Sequence, residues 1–161
     1  MSISYAKVYS ISTIIFCIDR LTKCIAYHML ATTDFIFCKY ISFSLTYNTG
    51  IAWSLFADAG AIVEAGIVLI TSYFLYEIGR CIQERKLYKH SIIGECLVIA
   101  GGVSNVCDRC IYPGVVDFIK LSAGEHTFPI FNVADVSVCV GIVIIVYQHF
   151  FDTNDRIKQS L

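Results

Sequence analysis

The amino-acid sequence predicts an all-α membrane protein with four transmembrane helices and a small extracytoplasmic β-sheet, or cradle, in the first outer loop. Hydrophobic residues make up 57% and charged residues 16% of the 161 positions, against roughly 45–50% and about 25% in soluble domains. Four segments approach the stretch of about 20 apolar residues that crosses the hydrocarbon core as a helix. These predicted spans cover about 6–29, 59–80, 91–108 and 132–151.

Basic residues set the predicted orientation of the four spans. They concentrate in the link between the second and third spans and in the tail after the fourth: Arg80, Arg85, Lys86, Lys89, Arg156 and Lys158. Because Lys and Arg favour the cytoplasmic side of a membrane, this link and both termini are predicted to be cytoplasmic. The first and third connections then lie outside. No linker or internal repeat marks a boundary, so residues 1–161 are predicted to form one domain.

The first outer connection, about 31–57, has the residue pattern of a β-strand. Large apolar residues recur there with a period of two: Phe35, Phe37, Ile41, Phe43, Leu45 and Tyr47. Alternation of this kind places the apolar side chains on one face of a strand, and aromatic and β-branched residues favour strands over helices. We therefore expect an amphipathic sheet that rests on the outer membrane surface.

Charge and cysteine content exclude several classes of function. The net charge is −1, so no overall positive field would attract nucleic acid. Five of the eight cysteines fall inside or at the edges of apolar runs and are interpreted as small buried residues, namely Cys17, Cys24, Cys81, Cys96 and Cys139. Cys107 and Cys110 form a C-x-x-C pair, for which a redox site or half of a metal site is the alternative to a structural role, but no second such pair or histidine pair accompanies it. We expect neither a bound metal nor a cofactor.

Ionisable residues within a span are costly, by roughly 2.5–3.5 kcal/mol at the helix centre, and are functional candidates by default. Asp19 and Lys23 lie four positions apart on one face of the first helix, where they either neutralise each other or shape a site. Glu64 and Glu95 lie singly in the second and third spans. We interpret these two as structural groups, partnered or facing water, with a proton relay as the alternative.

Polar residues crowd the outer end of the third and fourth spans. Asn105 and Arg109 lie one turn apart, and Asn132 and Asp135 lie three positions apart, so each pair shares one helix face. Asp117 lies between the two spans. With the predicted topology, the end of the third span and the start of the fourth meet at the same membrane depth. Asp117 and Asp135 are therefore predicted to converge there.

Two carboxyl groups in a poorly hydrated site do not both ionise easily, so one keeps a proton near neutral pH. The ionised group then draws a proton from an attacking water, while the protonated group hydrogen-bonds a peptide carbonyl oxygen. This pairing is typical of aspartic proteases. On spacing alone, an ion or proton pathway and a purely structural hydrogen-bond cluster remain alternatives.

Four short blocks, in order along nearly the whole chain, resemble a single family. They are DRLTK at 19–23, NTGIAW at 48–53, GGVSNVCDRCIYPGVVDF at 101–118 and FNVAD at 131–135. Their order and spacing, in a chain of this length with four predicted spans, resemble the bacterial lipoprotein signal peptidases, also called signal peptidase II. Ser104 stands where that family usually has a glycine, and Cys107 and Cys110 flank the Asp-Arg pair.

The resemblance implies an aspartic endopeptidase whose catalytic pair is Asp117 and Asp135. It implies substrate-binding or supporting roles for nine further residues: Asp19, Lys23, Asn48, Gly50, Trp53, Asn105, Asp108, Arg109 and Asn132. Within this set, Asp108 is interpreted as an ion-pair partner that orients Arg109. Trp53 is interpreted as an interfacial anchor in the part of the cradle that holds the substrate.

The resemblance also implies the substrate and the location. The substrate would be a prolipoprotein whose lipobox cysteine carries a diacylglyceryl group, cleaved just before that cysteine at the outer face of the bacterial cytoplasmic (inner) membrane. We expect the phospholipid bilayer as the other partner, no nucleic acid, and a monomer. The alternative is a small ion- or proton-coupled transporter using intramembrane carboxylates. A transporter would place polar residues through the midplane, whereas here they crowd the outer end.

Overall fold

Four helices and a small antiparallel sheet form the part of the chain that the computed structural model describes, residues 4–50, 61–87 and 90–159. The sheet has the strand order β1-β2-β3-β4. In chain order the elements are α1 (Tyr5–Met29), β1 (Phe35–Cys38), β2 (Ile41–Asn48), α2 (Ala61–Leu87), α3 (Ile93–Ile111), β3 (Val115–Ala123), β4 (His126–Thr127) and α4 (Val133–Gln159).

Two helices extend well past the predicted spans. The second was expected to end near residue 80 and the fourth near 151, but α2 continues to Leu87 and α4 to Gln159. The expected ends mark where the sequence stops being apolar. Lysine and arginine residues such as Arg85, Lys86 and Lys158 are good helix formers, so the helical backbone continues into the polar segments.

The helices expose many large apolar side chains and bury several charged ones, which a soluble bundle avoids. Large apolar side chains such as Leu69, Phe74 and Val143 are exposed, whereas Asp19 and Lys23 are almost completely buried. Such a surface fits lipid as the solvent. By length and composition, two described helix segments could cross a membrane, namely Ala65–Leu87 and Val133–Phe150. The number of four spans stays a prediction, since charged residues interrupt the apolar sequence of α1 and α3.

Most of these cysteines are exposed, like the large apolar side chains of the helices. Cys96 is buried, as the sequence suggested, but Cys17, Cys24, Cys81 and Cys139 are exposed on the helix surfaces. The expectation that all five would be buried was therefore wrong for four of them. A cysteine within an apolar run can face either the protein interior or lipid, because a helix surface that faces lipid has the same apolar composition as one that faces the protein interior.

The sheet draws on the connection between α1 and α2 and on the connection between α3 and α4, which corrects the prediction that it lies within the first of these. β1 and β2 fall in the expected region, but β2 pairs with β3, and β3 belongs to the segment between α3 and α4. The pairing aligns Thr46 with Asp117 and Asn48 with Val115. The VVDFIKL run has the composition of a buried strand, but its partner lies some 70 positions away in the sequence. Trp53, placed in the cradle by the sequence, lies outside the described residues.

Two glycines permit the close approaches that build the site. A Cβ atom on Gly101 would lie 2.4 Å from the carbonyl oxygen of Ala134, so α3 packs directly against the first turn of α4. A Cβ atom on Gly114 would lie 2.6 Å from the carbonyl oxygen of Asn48, where β3 begins beside the end of β2. Larger residues would force these elements apart, together with the side chains they carry.

Glu95 lies in a separate polar cluster formed by the end of α2 and the start of α3. Its Oε1 is 3.0 Å from Arg85 Nε, and the same arginine donates to Gln148 Oε1 at 2.9 Å. The pair favours the structural interpretation of this buried carboxylate over a proton relay. The side chain of Glu64 and the whole of Lys89 lie outside the described residues.

Candidate active site

Asp117 and Asp135 reach the site from different elements. Asp117 is the third residue of β3, and Asp135 lies in the first turn of α4. Asn132 connects them: its side-chain Nδ2 donates to Asp117 Oδ1 at 2.7 Å, and its backbone N–H donates to Asp135 Oδ2 at 3.0 Å. The two aspartates, 18 positions apart in sequence, are thus brought together by one bridging residue, in agreement with the convergence predicted from the order of the helices.

The start of α4 is built from the same contacts. Asn132 Oδ1 accepts the backbone N–H of Asp135 at 2.9 Å, while Asp135 Oδ2 accepts the backbone N–H of Asn132. This reciprocal arrangement is a capping box, which satisfies N–H groups that have no partner within the helix. The positive end of the helix dipole also favours a carboxylate in this turn. Forming the helix therefore fixes the orientation of Asp135.

Two further asparagines complete the hydrogen bonding of the pair. Asn48 Nδ2 donates to Asp117 Oδ2 at 3.2 Å, and Asn105 Nδ2 donates to Asp135 Oδ1 at 2.9 Å. Each of the four carboxyl oxygens thus accepts one bond from an asparagine. A carboxyl oxygen has a second lone pair, so each remains able to bind a water or a substrate group while its orientation is held.

The surroundings of Asp117 favour its protonated form. Burial, followed by the repulsion of Asp135, raises its pKa to about 7. The amide donors of Asn48 and Asn132 lower the pKa, but by less than burial raises it. Since the two carboxyl groups interact, the proton belongs to the pair. At neutral pH the pair can therefore hold one proton and one negative charge.

A layer of buried charges lies beneath the pair, between α1 and α3. Lys23 Nζ is 2.9 Å from Asp19 Oδ2, 2.7 Å from Asp108 Oδ2 and 2.8 Å from Asn105 Oδ1. All three charged side chains are about 1% exposed or less. The prediction that Asp19 and Lys23 share a helix face is confirmed, and of the two alternatives for them both hold, since they form an ion pair and Lys23 also contacts Asp108 and Asn105 beneath the pair.

Arg20 was not assigned a role from the sequence, yet it completes this layer. It forms an ion pair with Asp108, and its Nη1 donates to the carbonyl oxygen of Ser104 at 3.2 Å. Asp108 was expected to orient Arg109, whereas its ion pairs run to Arg20 and Lys23 on α1. Adjacent helix residues point in directions about 100° apart, so a sequence neighbour is a poor candidate partner. The sequence did contain a signal for Arg20, since it is a second charged residue beside Asp19 in an apolar helix.

Arg109 contacts the first connecting segment. Its Nη2 donates to the carbonyl oxygen of Gly50, and the backbone N–H of Gly50 donates to Asn48 Oδ1 at 3.0 Å. These bonds link the segment after β2 to the residue that holds Asp117. Trp53 follows Gly50 in the chain, but its position relative to the site is outside the described residues.

An apolar cavity of about 710 Å³ opens onto the aspartate pair. Helices α2, α3 and α4 and the segment after β4 line it, with Phe74, Leu75, Val98 and Phe131 among its apolar side chains. Binding sites for apolar ligands commonly combine such a lining with a few placed polar groups. Here the polar groups are those of the site: Asn48, Asn105, Arg109, Asp117 and Asp135.

Comparisons with known proteins agree with this arrangement. Residues 11–151 match the family described as signal peptidase (SPase) II. A lipoprotein signal peptidase of Teredinibacter turnerae is 30% identical over 155 residues, 91% of this chain and 89% of its own. Another, from Thermodesulfovibrio yellowstonii, is 32% identical over 148 residues, 89% of this chain and 96% of its own. Among solved structures, a bacterial membrane enzyme has a TM-score of 0.76 at 25% identity, covering 94% of this chain and 92% of that one.

These likenesses extend over helices and sheet alike, so they do not depend on one short motif. The family match includes all four sequence blocks in full, among them the block at 131–135 that holds Asp135. The chain therefore belongs to the signal peptidase II family, the lipoprotein signal peptidases, and is a membrane peptidase that removes signal peptides from prolipoproteins.

Proposed function

We propose that the chain is an aspartic endopeptidase whose catalytic residues are Asp117 and Asp135. The observation that carries this proposal is the bridge at Asn132, which bonds both carboxyl groups at the edge of an apolar cavity. Two carboxyl groups with different proton affinities are the acid and base that peptide hydrolysis by water requires.

The proposed reaction moves one proton at a time. The ionised carboxylate of the pair takes a proton from a water molecule as its oxygen attacks the scissile carbonyl carbon. The protonated carboxyl group gives its proton to the carbonyl oxygen, where negative charge develops. When the tetrahedral intermediate collapses, the C–N bond breaks and the amine leaving group takes the proton that came from the water. One hydroxyl group of the intermediate returns its proton to the pair as the C=O bond re-forms. The pair returns to its singly protonated form when the products leave.

The remaining site residues have supporting roles in this proposal. Asn48, Asn105 and Asn132 orient the carboxyl groups, and the buried layer of Asp19, Lys23 and Asp108 supports them from below. Arg109 holds the backbone at Gly50, and Trp53 would hold the substrate as an interfacial anchor.

We propose a substrate that carries its own membrane anchor, a prolipoprotein with a diacylglyceryl group on its lipobox cysteine. Cleavage would fall just before that cysteine. An apolar cavity of about 710 Å³ beside the pair is suited to acyl chains or to an apolar signal peptide. Anchoring in the bilayer would also hold the scissile bond at a constant depth, which reduces the entropic cost of positioning it.

We propose that all four helices span the bacterial cytoplasmic (inner) membrane as one domain of a monomer. The pair then lies at the outer face, with the sheet beside it and both termini in the cytoplasm. The buried charges of α1 and α3 support their place in such a bundle, because they pair with one another and leave apolar surfaces toward lipid.

The direct test is cleavage of a defined substrate by the purified protein in detergent or nanodiscs. A prolipoprotein peptide bearing the diacylglyceryl group should be cut once, just before the modified cysteine, as read by mass spectrometry. The matched peptide without the lipid should be cut far more slowly. Cleavage elsewhere, or equal cleavage of both peptides, would contradict the proposed substrate.

Activity should fall at alkaline pH. One member of the pair must be protonated, and the pKa of Asp117 is raised to about 7 by burial and by Asp135. Above that value the acid is lost, so kcat/KM should decrease by about tenfold for each further pH unit. Rates would be measured across this alkaline limb of the pH–rate profile, with a return to neutral pH to show that the loss of activity is reversible. A constant rate well above the pKa would contradict the assignment.

The proposed topology predicts the labelling of two exposed cysteines, Cys38 on β1 and Cys81 on α2. In variants that retain one or the other, a membrane-impermeant maleimide should label Cys38 in intact spheroplasts and Cys81 only after permeabilisation. The opposite result would invert the topology and move the pair to the cytoplasmic face.

A further inference from the structure

Two buried carboxylates each hold the residue that precedes one member of the aspartate pair. Asp19 Oδ1 accepts the backbone N–H of Ala134 at 2.7 Å, one position before Asp135. Asp108 Oδ2 accepts the backbone N–H of Val116 at 3.2 Å, one position before Asp117. Both carboxylates are 0% exposed. Each therefore controls where the backbone presents one member of the pair.

Lys23 joins these two carboxylates. Its ammonium group lies 2.9 Å from Asp19 Oδ2 and 2.7 Å from Asp108 Oδ2, with Asn105 Oδ1 as the third acceptor at 2.8 Å. An ammonium group has three donors, so these three contacts use them all. The third contact also settles the amide of Asn105, because the oxygen faces Lys23 and the nitrogen faces Asp135.

We propose that Lys23 is a positioning residue that sets the separation of Asp117 and Asp135 by linking the two buried carboxylates that hold their neighbouring backbone. This inference rests on the proposed function of the pair. It differs from a general supporting role because it connects one side chain on α1 to both catalytic residues, through β3 on one side and α4 on the other.

The physical basis is the repulsion that Lys23 neutralises. Without its charge, Asp108 would keep its ion pair with Arg20, but Asp19 would lose the ion pair with Lys23 and the two buried carboxylates would repel each other. Such an arrangement separates the two groups or protonates one of them. Either response alters the hold on Val116 or Ala134. A shift of about 1 Å in a reacting group is enough to cost about 10²-fold in rate.

Lys23 also acts on the protons of the pair through its charge. It lowers the pKa of Asp117, against the larger effects of burial and Asp135. The other charged groups around the pair come from α1 and α3: Asp19, Arg20, Asp108 and Arg109. A neutral residue at position 23 should therefore shift the alkaline limb of activity to higher pH, which a loss of packing alone would not do.

The test compares Lys23→Met with Lys7→Met, which removes an exposed lysine from the same helix. In the full-length enzyme with a lipidated peptide, Lys23→Met should lower kcat by about 10²-fold. KM should change little, and the alkaline limb should move to higher pH. Lys7→Met should match the wild type in all three. A Lys23→Met enzyme with wild-type kcat, or with reduced kcat and an unmoved limb, would overturn the inference.

Lys23→Arg serves if the methionine variant does not fold. Arginine keeps the charge but presents a planar set of donors, so the limb should stay in place while kcat falls by at least about tenfold. Wild-type turnover in this variant would overturn the inference. Asp117→Asn, assayed in parallel, separates the two proposals: if it retains activity the proposed function fails, whereas an active Lys23→Met beside an inactive Asp117→Asn refutes only the role of Lys23.

Discussion

Replacing Asp117 or Asp135 with asparagine should abolish cleavage of a lipidated prolipoprotein while the protein still folds and inserts. Asparagine keeps the shape of the side chain but cannot exchange a proton with water or substrate. A general acid–base step is worth about 10²–10⁴-fold in rate, and both steps need the pair. Each single variant should therefore lose about that much in kcat, measured by the release of the cleaved peptide.

Non-additivity would distinguish a pair from two independent contributors. Residues that act as a unit fail together, so the double variant should be little worse than either single one. Asp108→Asn should be less damaging, because Asp108 acts through Lys23 and the backbone of Val116 and does not reach the reacting atoms. The assignment of Asp117 and Asp135 as the catalytic pair is wrong if either single variant of the pair stays near the wild-type rate, or if Asp108→Asn is the most damaging change.

Stability provides the control for folding. The raised pKa of Asp117 means that the folded state binds this proton more tightly than the unfolded state, so its stabilising effect is lost as pH rises from about 4 to about 7. Asparagine has no charge to bury, so Asp117→Asn should melt no lower than the wild type at pH values above 7. Asp34→Asn, at an exposed aspartate, should leave both activity and melting unchanged.

Local spacing rules predicted the parts of the site that lie on a single helix. Asp19 faces Lys23 because they are four residues apart, and Asn132 meets Asp135 because they are three apart. The convergence of Asp117 with Asp135 also followed from sequence, since four spans of predicted direction fix which helix ends are neighbours. These inferences needed only helix geometry and orientation.

The missing parts depend on contacts between distant segments. Nothing local shows that β3 pairs with β2, or that Arg20 reaches Asp108 on another helix. The backbone contacts of Asp19 and Asp108 were equally hidden, since any N–H group could have been their partner. Burial was misjudged at four cysteines for a related reason, as composition does not distinguish protein from lipid as the apolar neighbour.

Changing Asn132 should produce the other large loss of activity, because this residue serves both carboxyl groups. Its amide donates to Asp117 Oδ1, and its backbone and side chain form the capping box with Asp135. Asn132→Ala removes the donor and the cap together, so kcat should fall by about 10²–10³-fold. Loss of the cap should also cost about 1 kcal/mol of stability, measured by thermal melting in detergent.

Asn132→Asp separates these two effects. Aspartate is as good a helix cap as asparagine, so the start of α4 should persist and most of the stability lost in the alanine variant should be retained. The ionised side chain cannot donate to Asp117, however, and it places a third negative charge beside the pair. Its kcat near neutral pH should therefore be as low as that of Asn132→Ala, with partial recovery in acid, where the protonated carboxyl group regains a donor. Wild-type kcat in Asn132→Asp would show that capping α4 is all that Asn132 does, and that the bond to Asp117 has no part in catalysis.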